Sequence, residues 1–266
     1  MRRLKPAATK LMPERLSKHL HKQRLDKILV DQGLVSSRER ARALIMAGSV
    51  LINGVPVTKA GAMVPVDASI LLKEPDIPYV SRGGLKLEEA IKAFGIDVQG
   101  KVAIDVGAST GGFTDCLLKH GARRVYAIDV GYGQLDWKLR QDARVISLER
   151  KNIRYLGPED IGKKADIAVI DVSFISLSKV IPVVVTLLKE QAEIVALVKP
   201  QFEVGKGQVG KGGIVRDPAL QAQATEKIQT VAGDIGLISI GLIESPILGA
   251  KGNREFLLYL KKGYER

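Results

Sequence analysis

Any catalyst built from this 266-residue chain has to work with lysine. Histidine occurs at three positions (His19, His21, His120), cysteine at one (Cys116), and no Ser/His/Asp grouping stands in a recognisable motif. Four residues of suitable type remain, Lys86, Asp171, Lys199 and Glu255, spread over 170 positions. Three of them fall at or beside the ends of predicted strands. Lys199 directly follows the apolar run Ile194 to Val198, which places it at the mouth of a sheet.

A second group points to a ligand. Val102 to Val106 reads as a buried strand running into the turn Gly107-Ala108-Ser109-Thr110-Gly111-Gly112-Phe113 and then a helix. Glycines there let the backbone approach a ligand at the carboxyl edge of a sheet. The spacing of Gly107, Gly111 and Gly112 departs from the dinucleotide fingerprint. Asp105, just before the turn, suits a positively charged ligand better than a pyrophosphate. Asp129 ends the next strand 24 residues later, where a carboxylate accepts the ribose hydroxyls of an adenosine. Asn152, after the strand-like run Arg144 to Leu148, is a candidate adenine contact and equally a turn residue.

The elements that must position these groups alternate. Strands are expected at 102–106, 125–130, 165–171 and 194–198 with helical spacers between them, which argues for a parallel sheet covered on both faces. Runs at 238–244 and 254–260 follow one another without a helix and should pair antiparallel at the sheet edge. The stretch 204–213 holds five glycines and two lysines and reads as a mobile loop beside Lys199.

The N-terminal part is different. Leu25, Ile28 and Leu29 form a helical stripe stopping at Gly33, and Ser36-Ser37-Arg38-Glu39 reads as a capping box that starts a second helix near Ser37. Asn53-Gly54 is a hairpin turn between two short β runs. Through Lys59 there are 13 Lys and Arg against 4 Asp and Glu, and beyond it 28 against 25, so most of the net charge of +12 lies in the first 60 residues. A basic end on a nearly neutral body is an electrostatic handle for a polyanion. The reading is a basic extension over 1–21, a compact module over 22–72, a linker over 73–79 broken by Pro75 and Pro78, and a large domain over 80–266.

Residues 24 to about 72 resemble the αL RNA-binding motif of ribosomal and rRNA-modifying proteins. The segments YVSRGGLKL, IDVGASTGGFTD, AIDVGYGQLDWKLR, VIDVSFISL, LVKPQFE and GNREFLLYL extend the likeness. Together they resemble the TlyA-type rRNA 2′-O-ribose methyltransferases, which join that motif to an FtsJ-like catalytic domain. The resemblance implies an α/β protein: a small α+β RNA-binding module, then a doubly wound Rossmann-like domain with a mostly parallel sheet and an antiparallel edge strand. It implies S-adenosylmethionine as cofactor, held by Asp105, Gly107, Ser109, Gly111, Gly112, Phe113, Asp129 and Asn152. Lys86, Asp171, Lys199 and Glu255 become a catalytic tetrad, without a metal. Arg24, Arg38, Arg40 and Arg42 become phosphate contacts, and Arg82 a further RNA contact. Cytidine ribose in ribosomal RNA is the implied substrate, in ribosomal subunits in the cytoplasm.

Such chemistry explains the residue types. A ribose hydroxyl is a poor nucleophile, so its proton must leave as the methyl arrives. Lys199 is the expected base. With a reference pKa of about 10.4, a lysine needs desolvation and a nearby cation, here Lys86, to act near neutrality. Asp171 and Glu255 would orient the two ammonium groups. Two other readings compete: a haemolysin-like membrane-active protein, a description also attached to this family, and a non-catalytic RNA-binding protein. The chain shows no spanning segment, export signal or aromatic-anchored basic amphipathic helix to favour the first. The intact tetrad argues against the second. One cysteine excludes an internal disulfide framework.

Overall fold

The computed structural model describes residues 21–263, apart from residue 36 and residues 74–76. The basic extension expected over 1–21 lies, but for His21, outside the described residues, as do Ser36 and Glu74 to Asp76 of the linker. The chain divides into two compact units, Met1–Asp76 and Ile77–Arg266.

In the first unit the apolar stripe of α1 (Leu25–Asp31) packs on α2 (Arg38–Met46), following β1 (Lys22–Arg24). Leu25, Ile28, Leu29, Ala41 and Ile45 are buried together with Val50 and Val64. Ser37 caps α2, its hydroxyl accepting from the Arg40 amide at 3.2 Å. The cap is therefore one residue later than a box built on Ser36 and Glu39 requires, and Glu39 falls at the second helical position. The hairpin forms as Asn53-Gly54 predicts: both residues have positive φ, 50° and 82°, between β2 (Val50–Ile52) and β3 (Val55–Pro56). β4 (Met63–Pro65) pairs with β1, and β5 (Ile70–Leu72) with β2, both antiparallel.

The second unit runs α3 (Gly83–Phe94), β6 (Val102–Val106), α4 (Gly112–Lys119), β7 (Arg124–Ile128), α5 (Trp137–Gln141), β8 (Val145–Leu148), α6 (Pro158–Ile161), β9 (Ala165–Ile170), α7 (Ile181–Thr186), β10 (Leu188–Val198), α8 (Pro200–Glu203), α9 (Pro218–Asp234), β11 (Leu237–Glu244) and β12 (Phe256–Lys262). The sheet order is β11-β12-β10-β9-β6-β7-β8. Five neighbouring strands from β10 to β8 are parallel, while β12 runs antiparallel to both β10 and β11. Alternate residues of the parallel strands enter opposite cores. Val102, Ile104 and Val106 pack with α7 and α9 residues on one face. Ala103, Val125 and Ile167 pack with Leu87, Cys116 and Leu117 of α3 and α4 on the other. This two-sided burial is why the strands read as continuous apolar runs.

Two local expectations differ from the structure. β10 begins six residues before Ile194, its polar, exposed Lys189 to Gln191 being extended near the start of the strand, within a register shift between Leu188 and Glu193. The glycine-rich stretch 204–213 carries defined structure: a 3₁₀ turn at Lys206–Gln208 and a bridge between Gly210 and Ile214. Buried Asn253 fastens it, donating to the Gly213 carbonyl at 3.0 Å and accepting from the Val215 amide at 3.1 Å. A count of glycines cannot register a tie made by a side chain 40 residues away.

Candidate active site

From β6 the chain winds outward through β7 and β8, then returns to place β9 on the other side of β6. The switch point lies between β6 and β9, where such sheets bind ligands beyond their carboxyl ends. Gly107, at the end of β6, has φ +86°, and a Cβ there would lie 2.4 Å from the Asp171 carbonyl oxygen. Only glycine permits this approach. Two cavities meet there, one of about 920 Å³ and one of about 260 Å³, and Gly107, Ser109 and Asp171 line both.

The four expected reactive residues resolve into two ion pairs. Lys86, in the first turns of α3, is buried and places Nζ 2.6 Å from Oε2 of buried Glu255, immediately before β12. Because β12 is reversed, its beginning shares a sheet edge with the ends of β9 and β10. Gly249 makes room for Glu255, since a Cβ there would lie 1.9 Å from Oε1. Lys199 caps α8 at the end of β10, and its Nζ lies 2.6 Å from Asp171 Oδ1 while donating to Ser173 Oγ at 3.0 Å. Lys86 and Asp171 line the smaller cavity, each ion-paired to a residue that does not, Glu255 and Lys199 respectively. Lys86 takes no helix-surface partner; Glu88 pairs with Lys92 instead.

Of the expected cofactor residues, Asp129 and Asn152 line the larger cavity and Gly112 and Phe113 the smaller. Asp129 follows β7 and accepts from the amides of Ser109 and Gly131, both at 2.7 Å, which fixes the carboxylate and leaves it lone pairs. Asn152 is wall and turn at once, its Oδ1 accepting from the Arg154 amide at 3.1 Å. Asp105 lines neither cavity. Its carboxyl is fully buried beneath the turn, Oδ2 accepting from Thr114 Oγ1 at 2.6 Å and Oδ1 having no hydrogen-bond partner. Burial, helped by the charges of Asp171 and Asp129, pushes it up to about 7. Gly111 and Gly112 are also crowded by protein atoms. A Cβ on Gly111 would lie 2.2 Å from Leu139, and one on Gly112 would lie 2.3 Å from Ser81 Oγ. They are small because protein packs on them.

Three further residues at the site were not among those expected. Phe174 is 91% exposed at a φ of +64°, on the wall of the larger cavity and tilted against Phe202 at 5.2 Å. A bulky residue held in the left-handed region is strained, and such strain clusters at functional sites. Ser173 stands beside it. Buried Glu203 accepts from Ser176 Oγ at 2.5 Å and from the Leu177 amide at 2.8 Å, fastening the loop after Asp171 to the helix after Lys199. Hydroxyls and an aromatic in a segment without periodicity offer no signal but the motif itself.

In the first unit, three expected phosphate contacts converge on one carboxylate. Arg24 Nη2 donates to Asp26 Oδ2 at 3.0 Å, Arg38 Nη2 at 3.1 Å and Arg42 Nε at 3.3 Å. Asp26 is fully buried, whereas each guanidinium side chain is nearly half exposed. The hydrogen bonds from Arg24, with those from Arg38 and Arg42, hold the Asp26 carboxyl well below the usual carboxylate range despite its burial. Arg40 is half-buried, its amide on the Ser37 cap. Arg82 belongs to the second unit, exposed at the start of α3 on the wall of the smaller cavity.

Comparison with known proteins agrees with this division. An S4 domain model matches residues 23–70 and an FtsJ-like methyltransferase model residues 79–262. The 16S/23S rRNA (cytidine-2′-O)-methyltransferase TlyA of Mycobacterium tuberculosis is 49% identical over 91% of this chain and 91% of its own length. Hemolysin A of Brachyspira hyodysenteriae is 44% identical over 89% of this chain and 98% of its own. A solved hemolysin-named structure from Streptococcus thermophilus superposes with a TM-score of 0.71 at 46% identity, covering 91% of this chain and 89% of that one. With a parallel sheet open at its switch point and an S4 domain ahead of it, the chain belongs to the FtsJ-like methyltransferase family.

Proposed function

We propose that the protein transfers a methyl group from S-adenosylmethionine to ribose 2′-hydroxyls, on cytidines of ribosomal RNA, within ribosomal subunits in the cytoplasm. The observation that carries this reading is the pair of buried lysine–carboxylate contacts, Lys86–Glu255 and Lys199–Asp171, converging beside the crevice at the switch point. The cofactor fits that crevice by charge. Asp129 and Asp171, which follow the strands on either side of β6, line the larger cavity and favour a cation over a pyrophosphate. Asp129 would hold the ribose hydroxyls and Asn152 would border the adenine; the cofactor, when bound, supplies an electrophilic methyl on sulfonium sulfur.

The chain's own residues do the rest. Asp171 orients the Lys199 amine, which takes the proton of the ribose hydroxyl as general base, and Glu255 orients Lys86. Phe174 offers a stacking face for a base turned out of its helix. The arginines around Asp26, with Arg40, meet phosphates of folded RNA.

Relatives with a hemolysin name are among those the chain resembles. No helix among the described residues is long and apolar enough to cross a membrane. The test of the proposal is incubation of unmodified ribosomal subunits with tritiated S-adenosylmethionine, followed by nuclease digestion and mass-spectrometric mapping. Label in 2′-O-methylcytidine is expected. Label on a base, or none at all, would overturn the assignment.

A further inference from the structure

Lys199 is 8% exposed and lines neither cavity, so a hydroxyl resting in the crevice meets other groups first. Two polar side chains both line a cavity and contact the Lys199 nitrogen: Asp171 at 2.6 Å, and Ser173, exposed on the wall of the larger cavity, with its hydroxyl at 3.0 Å. They differ in what they can pass on. An ionised carboxylate only accepts, whereas a serine hydroxyl has one proton to give and two lone pairs to receive.

Ser173 is also set apart from the other hydroxyls of its loop. Ser176 donates to Glu203, and Ser178 lies 2.7 Å from Ser176, so both belong to the contact that fastens the loop. The hydroxyl of Ser173 faces Lys199 instead.

We propose that Ser173 is a catalytic residue that relays the proton of the ribose 2′-hydroxyl to Lys199. This rests on the reading of Lys199 as general base. The neutral lysine accepts the Ser173 proton while Ser173 Oγ takes the ribose proton. The ribose oxygen forms its bond to the methyl carbon as the carbon–sulfur bond breaks and the electron pair stays on sulfur. Serine ends as it began, lysine ends as an ammonium, and the charge lost from the sulfonium is the charge gained by lysine. Both transfers occur together, since a free serine alkoxide is too basic to persist near neutrality.

The test uses the full chain under single-turnover conditions, with unmodified ribosomal subunits and saturating S-adenosylmethionine. Ser173→Ala is expected to slow methyl transfer by about 10²- to 10³-fold, within the range for loss of a proton-transfer group. S-adenosylhomocysteine affinity by calorimetry and subunit affinity by filter binding should stay within twofold. Ser173→Thr, which keeps the hydroxyl, should recover to within about tenfold of the wild-type rate. In mixtures of light and heavy water the wild-type rate should bow with deuterium fraction, as two protons in flight require, and the Ala variant should follow a line.

A Ser173→Ala rate within threefold of wild type overturns the relay. So do equal losses in the Ala and Thr variants, a parallel loss of cofactor affinity, or a linear deuterium dependence in the wild type. Lys199→Ala separates the two ideas: an active Lys199→Ala variant sinks the base reading itself, whereas an inactive one beside a fully active Ser173→Ala sinks the relay alone.

Discussion

Asp26→Asn should make RNA binding more sensitive to salt, although it changes a buried residue and adds no basic one. Four arginines acting independently, Arg24, Arg38, Arg40 and Arg42, would contribute about 3 to 4 to the log–log salt slope, at roughly 0.7 to 0.9 per neutralised phosphate. Three of them already share the Asp26 carboxylate, so that cluster presents +2 rather than +3 to an incoming strand. With Arg40 the contribution falls to about 2 to 3. Asparagine keeps the shape and an oxygen acceptor but removes the charge, which restores the missing unit and steepens the slope by about 0.7 to 0.9. Between about 50 and 200 mM salt, a fourfold change, the variant should lose affinity about threefold more than the wild type. Filter binding of the full-length protein to ribosomal RNA measures this directly, with a circular-dichroism melt to confirm that the module remains folded. A slope equal to the wild-type value, in a folded variant, would mean that this cluster does not meet phosphate.

Other expectations concern the catalytic unit. Lys199→Ala should abolish methyl transfer and leave S-adenosylmethionine affinity within a few-fold, whereas Asp129→Ala should weaken the cofactor first; equal losses of affinity by calorimetry would contradict the division of roles. Asp105, with a folded value of about 7 against about 4 when unfolded, favours the fold below pH 4 and loses that contribution as pH rises through 7, on the order of 3–4 kcal/mol. Asp105→Asn should therefore gain melting temperature over the wild type at pH 8 and much less at pH 5; a pH-independent difference would refute the buried carboxyl as its source. Phe174→Ala should raise the KM for RNA about tenfold or more with little change in cofactor affinity, since stacking on one base is worth about 1–3 kcal/mol; an unchanged KM would remove the aromatic from the substrate path.

The catalytic fold was legible because its strands are buried on both faces. Val102 to Val106 and Ala165 to Ile170 leave no other reading, and the residue after each strand is placed by topology alone. Asp171 and Lys199 meet for that reason. What escaped the sequence depends on partners distant in the chain. Asp26 sits among α1 residues whose spacing says only that Leu25, Ile28 and Leu29 are inside, and its burial requires guanidiniums from α2, 12 and 16 residues later. Asp105 looks like a ligand-facing carboxylate next to a glycine turn. Its side chain instead takes the direction fixed by strand alternation and Thr114 nine residues on. Gly111 and Gly112 show the same limit, since which neighbour needs the space is a tertiary fact.

The reversal of β12 also orders the assembly of the enzyme in time. Its two sheet partners, β10 and β11, precede it in the chain, and β11 has no neighbour in the sheet until β12 is in place. Lys86 and Glu255 are separated by 169 residues, the kind of distant closure that slows folding. A nascent chain emerging from the ribosome can complete the glycine turn, Asp129 and the Lys199–Asp171 pair before Glu255 exists. The Lys86–Glu255 pair thus closes only once β12 has joined the sheet, later in the chain than the glycine turn, Asp129 and the Lys199–Asp171 pair.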